Sequence, residues 1–427
     1  MNKTLTLEKR TQPTNIKERI GSLDFLRGIA VLGILFINIE SFVYPNPWSS
    51  WQYGYESAID HDTRFWVYFL TQGKFYTMFA LLFGVGFVIF LERVTQKTKG
   101  LIGMDMYGRR LLWLFVFGVV HAYLIWDGDI LYHYAICGFL LLPFRSVQTN
   151  YLILIVAFLA SMLFIKSYES VADRKEAFRN YTAALNVPEN RRTADETKRI
   201  ASWEKRHSKI EPNSVEVVEN PKPTYWEGVK NSYNKLNVHK GEFYHTSLIL
   251  STLIVMLLGM VLYRSGIFSN YQKWNYYWII TIGIVIFGLV INYLRYEQWT
   301  YKDHEPVLEV WMSLLFTFPK EILGMGYILL GNGIYQKFLK NSKTKLLSKI
   351  GRTALSNYIL QSIILGVIFF GYGFGLFNKY SRFELLGFVA AIWALQIVLT
   401  LLWLHYHKQG PLEYLWRKLT YNSFNKM

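Results

Sequence analysis

Two apolar runs of the sequence each carry a pair of polar residues eleven positions apart. Arg27 is followed by Asn38 at this spacing, and Arg110 is followed by His121. Eleven residues make about three helical turns, so each pair would share one helix face with about 16 Å between its members. The pattern predicts a path that joins an anion-binding guanidinium to an amide or an imidazole near the other end of the span.

A carboxylate and a second imidazole follow the second of these runs. Asp129 lies where the next helix would have its N-terminal cap, and His133 falls one turn later on the same face. These residues would cluster with Asn38 and His121 if the helices are neighbours. A carboxylate that orients an imidazole gives a general base for a hydroxyl or amine nucleophile, and an amide can donate to a developing oxyanion. The four residues are predicted as catalytic, the alternative being helix capping and hydrogen bonds between helices.

Three arginines at the opposite ends of these runs are suited to phosphate groups. Arg27, Arg109 and Arg110 carry guanidinium groups, which bind phosphates bidentately. The alternative is that Arg27 forms an interfacial ion pair with Asp24, while the other two anchor the topology.

Four further charged or titratable residues are candidates for functional sites. Lys74 follows Gly73, where we expect a break in the helix, and would lie near the catalytic cluster or at the headgroups. His61, on the preceding loop, is a reserve acid or base. Lys320 and Glu321 are predicted near the middle of a span, where they would mark a transport site, a cavity or a kink.

The composition predicts an all-α, polytopic membrane protein. Of the 427 residues, 52% are hydrophobic, and they occur in runs of roughly 17 to 25 residues. The formal charge of +16 is explained by basic loops, so no nucleic-acid partner is expected. We expect ten membrane spans, at residues 23–44, 65–91, 110–126, 130–144, 149–167, 243–263, 274–295, 307–332, 353–377 and 384–404.

The distribution of charge in the loops predicts the topology. The basic loops and both termini are expected in the cytoplasm of a bacterial cell, with the protein in the plasma membrane. The predicted domains are a cytoplasmic tail, a five-helix bundle, an extracytoplasmic insertion, a second five-helix bundle and a cytoplasmic tail, at residues 1–22, 23–167, 168–242, 243–404 and 405–427. The sequence has no GxGxxG, P-loop, CxxC or HExxH pattern, so neither a metal nor a tightly bound cofactor is expected.

Five motifs, in this order, resemble the YeiB-like family of bacterial inner-membrane proteins, whose C-terminal half is domain of unknown function 418. They are "RIGSLDFLRGIAVLGILFINI", "GKFYTMFALLFGVGF", "RRLLWLFVFGVVHAYLIWDGDILYHYAICG", "GRTALSNYILQS" and "GPLEYLWRKLTY". The family is in turn similar, mainly through its first spans, to transmembrane acyltransferases, including the lysosomal heparan-glucosaminide acetyltransferase.

The resemblance implies a cytoplasmic acyl-CoA as co-substrate and an extracytoplasmic sugar or lipid-linked acceptor. Arg27 corresponds to the arginine of the shared "LDxxRG" signature, and Asn38 matches an asparagine of the lysosomal enzyme and of the YeiB-like proteins. We therefore expect Arg27, Arg109 and Arg110 to bind the acyl-CoA. Membrane lipids are the other expected partners, and both a monomer and a homodimer are compatible with the sequence.

The sequence departs from the acyltransferases at the catalytic base. The sugar-modifying bacterial enzymes have a histidine where Asn38 stands, and the lysosomal enzyme has its histidine in the next loop, where this chain offers Ser49 and, nearby, only His61. His121 or Asp129 would have to serve as the base. A transporter or flippase that uses Lys320 and Glu321 is the competing prediction.

Overall fold

The computed structural model describes residues 20–45, 47, 57–96, 102–207, 224–238, 242–301, 315–339 and 345–421, and within these ranges it is helical with no strand. The first half comprises α1 (Gly21–Gly33), α2 (Leu35–Asn38), α3 (Glu40–Val43), α4 (Ala58–Thr71), α5 (Lys74–Thr95), α6 (Ile102–Leu124), α7 (Leu131–Leu140) and α8 (Thr149–Leu185). The rest comprises α9 (Ala194–His207), α10 (Tyr225–Val238), α11 (Glu242–Arg264), α12 (Tyr277–Tyr301), α13 (Pro319–Ile334), α14 (Leu346–Arg352), α15 (Ala354–Phe369), α16 (Leu385–Tyr406) and α17 (Pro411–Tyr421).

Six of the described helices are long and apolar enough to cross a membrane: Gly21–Val43, Ala58–Thr95, Thr149–Leu185, Ser247–Arg264, Tyr277–Tyr296 and Leu385–Tyr406. Counting the pair α14 and α15, which is bent by 82°, as one span raises the number to seven. The chain is therefore a membrane protein with about six candidate spans. The count of ten stays a prediction.

The expected break at Gly73 is confirmed. Gly73 has φ +76°, a left-handed conformation that glycine adopts readily, and it separates α4 from α5. Pro319 directly precedes Lys320 and Glu321 and occupies the first turn of α13, so these two charged residues lie at the start of that helix. Proline is well tolerated there, since the first N–H groups of a helix have no partner within the helix.

Helix α1 is packed at the centre of the bundle through its glycines. A Cβ atom at Gly28 would lie 2.0 Å from the Leu347 carbonyl oxygen, and one at Gly351 would meet the backbone of Asp24. The backbones of α1 and α14 therefore touch, as glycine permits between helices in a membrane. On another side of α1, Gln361 donates to the Val31 carbonyl oxygen over 2.9 Å.

The predicted insertion begins within a helix. α8 runs without interruption through residue 168, the predicted boundary, and α9 packs against its second half through Trp203, Phe178 and Tyr181. α10 covers the turn between α6 and α7. Lys235 pairs with Asp127 at 2.9 Å, and the Tyr225 hydroxyl donates to the Leu124 carbonyl oxygen.

Candidate functional site

A cavity of about 320 Å³ lies among helices α1, α5, α6, α7, α15 and α17. One end, the basic end, is lined by five arginines: Arg27, Arg93, Arg110, Arg352 and Arg417. The other end, the inner end, is lined by Phe79, Ile130, Leu131 and Tyr358. Phe79 and Arg93 are fourteen residues apart on α5, so the cavity extends for about 21 Å along that helix.

Two of the three arginines predicted to bind phosphate line the basic end. Arg27 keeps the predicted ion pair with Asp24, at 2.8 Å, and its side chain is 30% exposed. The Arg110 guanidinium lies 3.8 Å from the centre of the Trp416 ring, a cation–π contact that orients it. Arg109 does not line the cavity and pairs with Asp105 on the surface.

The C-terminal helix α17 forms one wall of the basic end, which sequence reasoning missed. Trp416 donates its indole N–H to the Arg110 carbonyl oxygen over 2.8 Å, and Arg417 and Tyr421 line the cavity beside it. The motif "GPLEYLWRKLTY" could have indicated this wall, because it places aromatic and basic residues along one helix.

Glu413 fixes α17 to the start of α15. Its carboxylate accepts hydrogen bonds from the backbone N–H groups of Leu355 and Ser356, at 2.7 and 3.2 Å, and from the Ser356 hydroxyl. These are N–H groups of the first turn of α15, which have no acceptor within the helix. Burial nevertheless raises the pKa of Glu413 above its ordinary value of 4.5, with the hydrogen bonds opposing the rise.

The raised pKa of Glu413 predicts a pH-dependent contribution to stability. The folded state binds the proton more tightly than the unfolded chain, so this contribution is present below pH 4.5 and is lost as the pH rises above it. We expect the Tm of Glu413→Gln to improve relative to wild type between pH 4.5 and pH 7, by no more than about 2 °C. Thermal unfolding at both pH values measures this difference, and a relative loss for the variant would contradict the sign.

A buried histidine–aspartate pair lies beside the inner end of the cavity. His121 Nδ1 is 2.7 Å from Asp129 Oδ1, with both side chains fully buried. The other Asp129 oxygen accepts the backbone N–H of Tyr132 over 3.0 Å, which fixes the carboxylate. With Nδ1 directed at the carboxylate, Nε2 is left as the basic nitrogen. His121 Nε2 is buried and has no hydrogen-bond partner in the part of the chain that the structure describes.

Tyr358 stands beside this pair and was also missed by the sequence reasoning. Its ring lies 5.1 Å from that of His121 and also lines the cavity. His121 itself does not line the cavity. Ile130 and Leu131, which follow Asp129 directly, complete the wall.

The other two predicted catalytic residues lie elsewhere. His133 Nε2 is 3.1 Å from Thr252 Oγ1 and 3.7 Å from Cys137 Sγ, so it faces α11. Asn38 ends α2, is partly exposed and is not among the residues that line the cavity. Ser49 falls outside the described residues.

The remaining candidates are not at the cavity. Lys74 is buried and donates to the Tyr68 carbonyl oxygen over 3.1 Å. Lys320 lies against the nearby Gly73 and pairs with Glu321 at 3.7 Å, so the predicted transport site and Lys74 form one group. His61 is exposed on α4. Over the described ranges, no group of three or more His, Cys, Asp or Glu side chains is arranged to hold a metal ion.

A buried ion pair joins α3 to the loop before α16. Arg382 lies 2.7 Å from Glu40, and their side chains are 1% and 5% exposed. The Tyr68 hydroxyl donates to the same Glu40 oxygen over 3.1 Å. The pair explains why a glutamate is present near the end of the first apolar run.

The fold and the cavity define a helical membrane protein with an arginine-lined cavity next to a buried histidine–aspartate pair. A family profile described as "Protein of unknown function (DUF418)" matches residues 262–423. The chain is 31% identical over 427 residues to the uncharacterized protein YxaH of Bacillus subtilis (strain 168), covering 97% of each chain. It is 30% identical over 423 residues to the uncharacterized protein YeiB of Escherichia coli (strain K12), covering 94% of this chain and 96% of that protein. The chain therefore belongs to the YeiB-like family, as its motifs predicted.

Proposed function

We propose that the protein is a transmembrane acyltransferase, which moves an acyl group from cytoplasmic acyl-CoA to an extracytoplasmic sugar or lipid-linked hydroxyl. The protein would lie in the bacterial plasma membrane, with the basic end of the cavity and both termini on the cytoplasmic side. The observation that carries it is one cavity whose lining includes five arginines at one end and Ile130, Leu131 and Tyr358 at the other. These three residues are next to the His121–Asp129 pair.

The basic end would bind the phosphates of the donor. Arg27 and Arg110 are fixed by Asp24 and Trp416, so little side-chain entropy is lost when they bind an anion. The pantetheine arm would extend along α5, and the thioester would come to rest near Ile130 and Leu131.

The histidine–aspartate pair would carry the proton transfers. The acceptor hydroxyl attacks the thioester carbon while His121 Nε2 takes its proton, and Asp129 holds Nδ1–H in place. The tetrahedral intermediate then breaks the C–S bond, and the CoA sulfur takes the proton back from Nε2. An ester and free CoA result. Tyr358 lines the cavity, whereas His121 does not, and the two rings are 5.1 Å apart, so the Tyr358 ring would have to turn before the carbonyl reaches Nε2.

Donor binding tests this proposal directly. We expect acyl-CoA to raise the Tm of the purified protein saturably, and both Arg27→Ala and Arg110→Ala to abolish the rise. Arg109→Ala is the matched control, because its guanidinium lies outside the cavity and pairs with Asp105. The proposal would be contradicted if acyl-CoA failed to raise the Tm of the folded wild-type protein. It would also be contradicted if the increase in Tm were lost in all three variants, including the control.

A carrier is the second candidate, favoured by one group of charges. Lys74 is buried, Lys320 and Glu321 lie beside it, and Glu321 Oε2 is buried with no hydrogen-bond partner among the described residues. Such groups in a membrane often mark a transport path. Under the acyltransferase proposal, Glu321→Gln leaves acyl-CoA binding unchanged, whereas a carrier would lose substrate binding with this variant.

A further inference from the structure

Tyr358 carries a buried hydroxyl that makes no hydrogen bond with the described residues. The residue is 3% exposed, and it lines the inner end of the cavity. The backbone N–H of Ile130 lies close to the hydroxyl oxygen, but without hydrogen-bond geometry. Because an N–H group can only donate, the phenolic proton stays available to another acceptor. A buried hydroxyl without an acceptor is unfavourable, so this one is a candidate functional group.

The other polar side chains of the cavity lining are engaged or lie elsewhere. The charged side chains and the tryptophan of the lining belong to the basic end. Two further tyrosines, Tyr107 and Tyr421, lie at that end as well. Tyr134 donates its hydroxyl to the Tyr76 carbonyl oxygen over 2.7 Å. Among the described residues, Tyr358 therefore offers the one free side-chain donor at the inner end of the cavity.

The rings of Tyr358 and His121 are neighbours, and each carries a polar atom without a partner. The ring centres are 5.1 Å apart, and both His121 Nε2 and the Tyr358 hydroxyl are buried without a hydrogen bond to any described residue. Attack on a thioester requires a base for the nucleophile and a donor to the carbonyl oxygen, where negative charge develops. These two rings provide one group of each kind.

The turn of the Tyr358 ring that the proposed reaction requires does not displace its hydroxyl. Rotation about the Cβ–Cγ bond moves the Cδ and Cε atoms of a tyrosine and leaves Cγ, Cζ and Oη on the rotation axis. The space that opens therefore lies alongside the hydroxyl oxygen. A carbonyl group that enters this space meets the phenolic proton as it approaches His121.

We infer that Tyr358 is the oxyanion donor of the acyl transfer, the role that the sequence predicts for Asn38. The inference rests on the proposed function. As the acceptor oxygen bonds to the thioester carbon, the π electron pair moves to the carbonyl oxygen. Tyr358 donates a hydrogen bond to that oxygen and keeps its proton. The electron pair then returns, the C–S bond breaks, and the CoA sulfur takes the proton that His121 Nε2 received from the acceptor.

Tyr358→Phe removes the hydroxyl and keeps the ring. In the full-length protein in lipid nanodiscs, with water as the acceptor, we expect kcat for release of the CoA thiol to fall by about 10²- to 10³-fold, the usual cost of losing one oxyanion donor. The affinity for the acyl-CoA and the Tm should not fall, because the hydroxyl makes no hydrogen bond in the described chain. Tyr76→Phe is the matched control, since its hydroxyl bonds to Thr252 outside the cavity.

Infrared difference spectra report the hydrogen bond without turnover. The donor is acetyl-CoA with ¹³C at its carbonyl, or octanoyl-CoA labelled in the same way if acetyl-CoA does not bind. The carbonyl band of the bound donor should lie at lower wavenumber in wild type and Tyr76→Phe than in Tyr358→Phe. If hydrolysis is too slow to follow, this band alone decides between the outcomes.

The outcomes distinguish this inference from the proposed function. A wild-type rate in Tyr358→Phe would overturn the inference and leave acyl transfer standing. A carbonyl band at the same wavenumber in Tyr358→Phe and wild type would also overturn it, because the hydroxyl would then not reach the carbonyl oxygen. Failure of both donors to bind to the folded wild-type protein would overturn the proposed function, and the inference with it.

Discussion

Replacing His121 by glutamine is expected to lower the rate of acyl transfer by about 10²- to 10⁴-fold, the usual contribution of a positioned general base. Glutamine can still donate to Asp129, so the buried carboxylate keeps a partner and the fold is retained. The imidazole Nε2, which has no hydrogen-bond partner in the described part of the chain, is the group that would accept the proton of the nucleophile. Asp129→Asn should also lower the rate, because an asparagine can donate to Nδ1 and so hold His121 in the tautomer that carries its proton on Nε2.

The rate can be followed without the natural acceptor. Water can replace the acceptor hydroxyl, so release of the CoA thiol reports slow acyl-CoA hydrolysis in purified protein. His405→Gln is the control, since His405 is exposed on α16 away from the cavity. Wild-type thiol release from a His121→Gln protein that still binds acyl-CoA would remove His121 from the mechanism.

Arg382→Met is expected to destabilise the protein by about 3–5 kcal/mol, the cost of leaving one partner of a buried ion pair uncompensated. Arg382 and Glu40 are almost completely buried at 2.7 Å, and Tyr68 donates to the same carboxylate. Loss of the arginine leaves the Glu40 carboxylate buried without its ion-pair partner, with only the Tyr68 hydroxyl still shown to donate to it. Unfolding of the purified protein by denaturant, with helix content as the readout, measures the effect.

The double variant Arg382→Met with Glu40→Gln distinguishes two causes of the lost stability: an unpaired buried charge and altered packing. Removing both charges should recover much of the loss, because the penalty comes from the unpaired charge rather than from the missing attraction. A double variant as unstable as Arg382→Met alone would assign the effect to packing. If the free energy of unfolding of Arg382→Met were within about 0.5 kcal/mol of the wild-type value, the pair would not be buried in the membrane-embedded protein.

The sequence predicts those features of the fold that depend on local chemistry. Gly73 breaks the helix because its backbone conformation favours glycine. The contact between His121 and Asp129 is also local, since only a short turn between α6 and α7 separates the two residues. Apolar runs of sufficient length predict membrane helices, although not their number.

Features that depend on distant partners could not be predicted in this way. Arg109 and Arg110 are neighbours in sequence, and only the packing of α17 against α6 decides that Arg110 lines the cavity. Glu40 and Arg382 are separated by most of the chain. Spacing places His133 on the face of Asp129, but Thr252 on α11 provides its hydrogen-bond partner.

The most direct test of the central claim is photo-crosslinking with an acyl-CoA that carries a diazirine in a short acyl group, close to the thioester carbonyl. The account predicts that mass spectrometry will find the label at the inner end of the cavity, on Phe79, Ile130, Leu131 or Tyr358. Unlabelled acyl-CoA should compete for it, and both Arg27→Ala and Arg110→Ala should prevent it. Label confined to the exposed faces of α12 or α16, or unaffected by the competitor, would contradict the claim that the cavity brings an acyl chain to the histidine–aspartate pair.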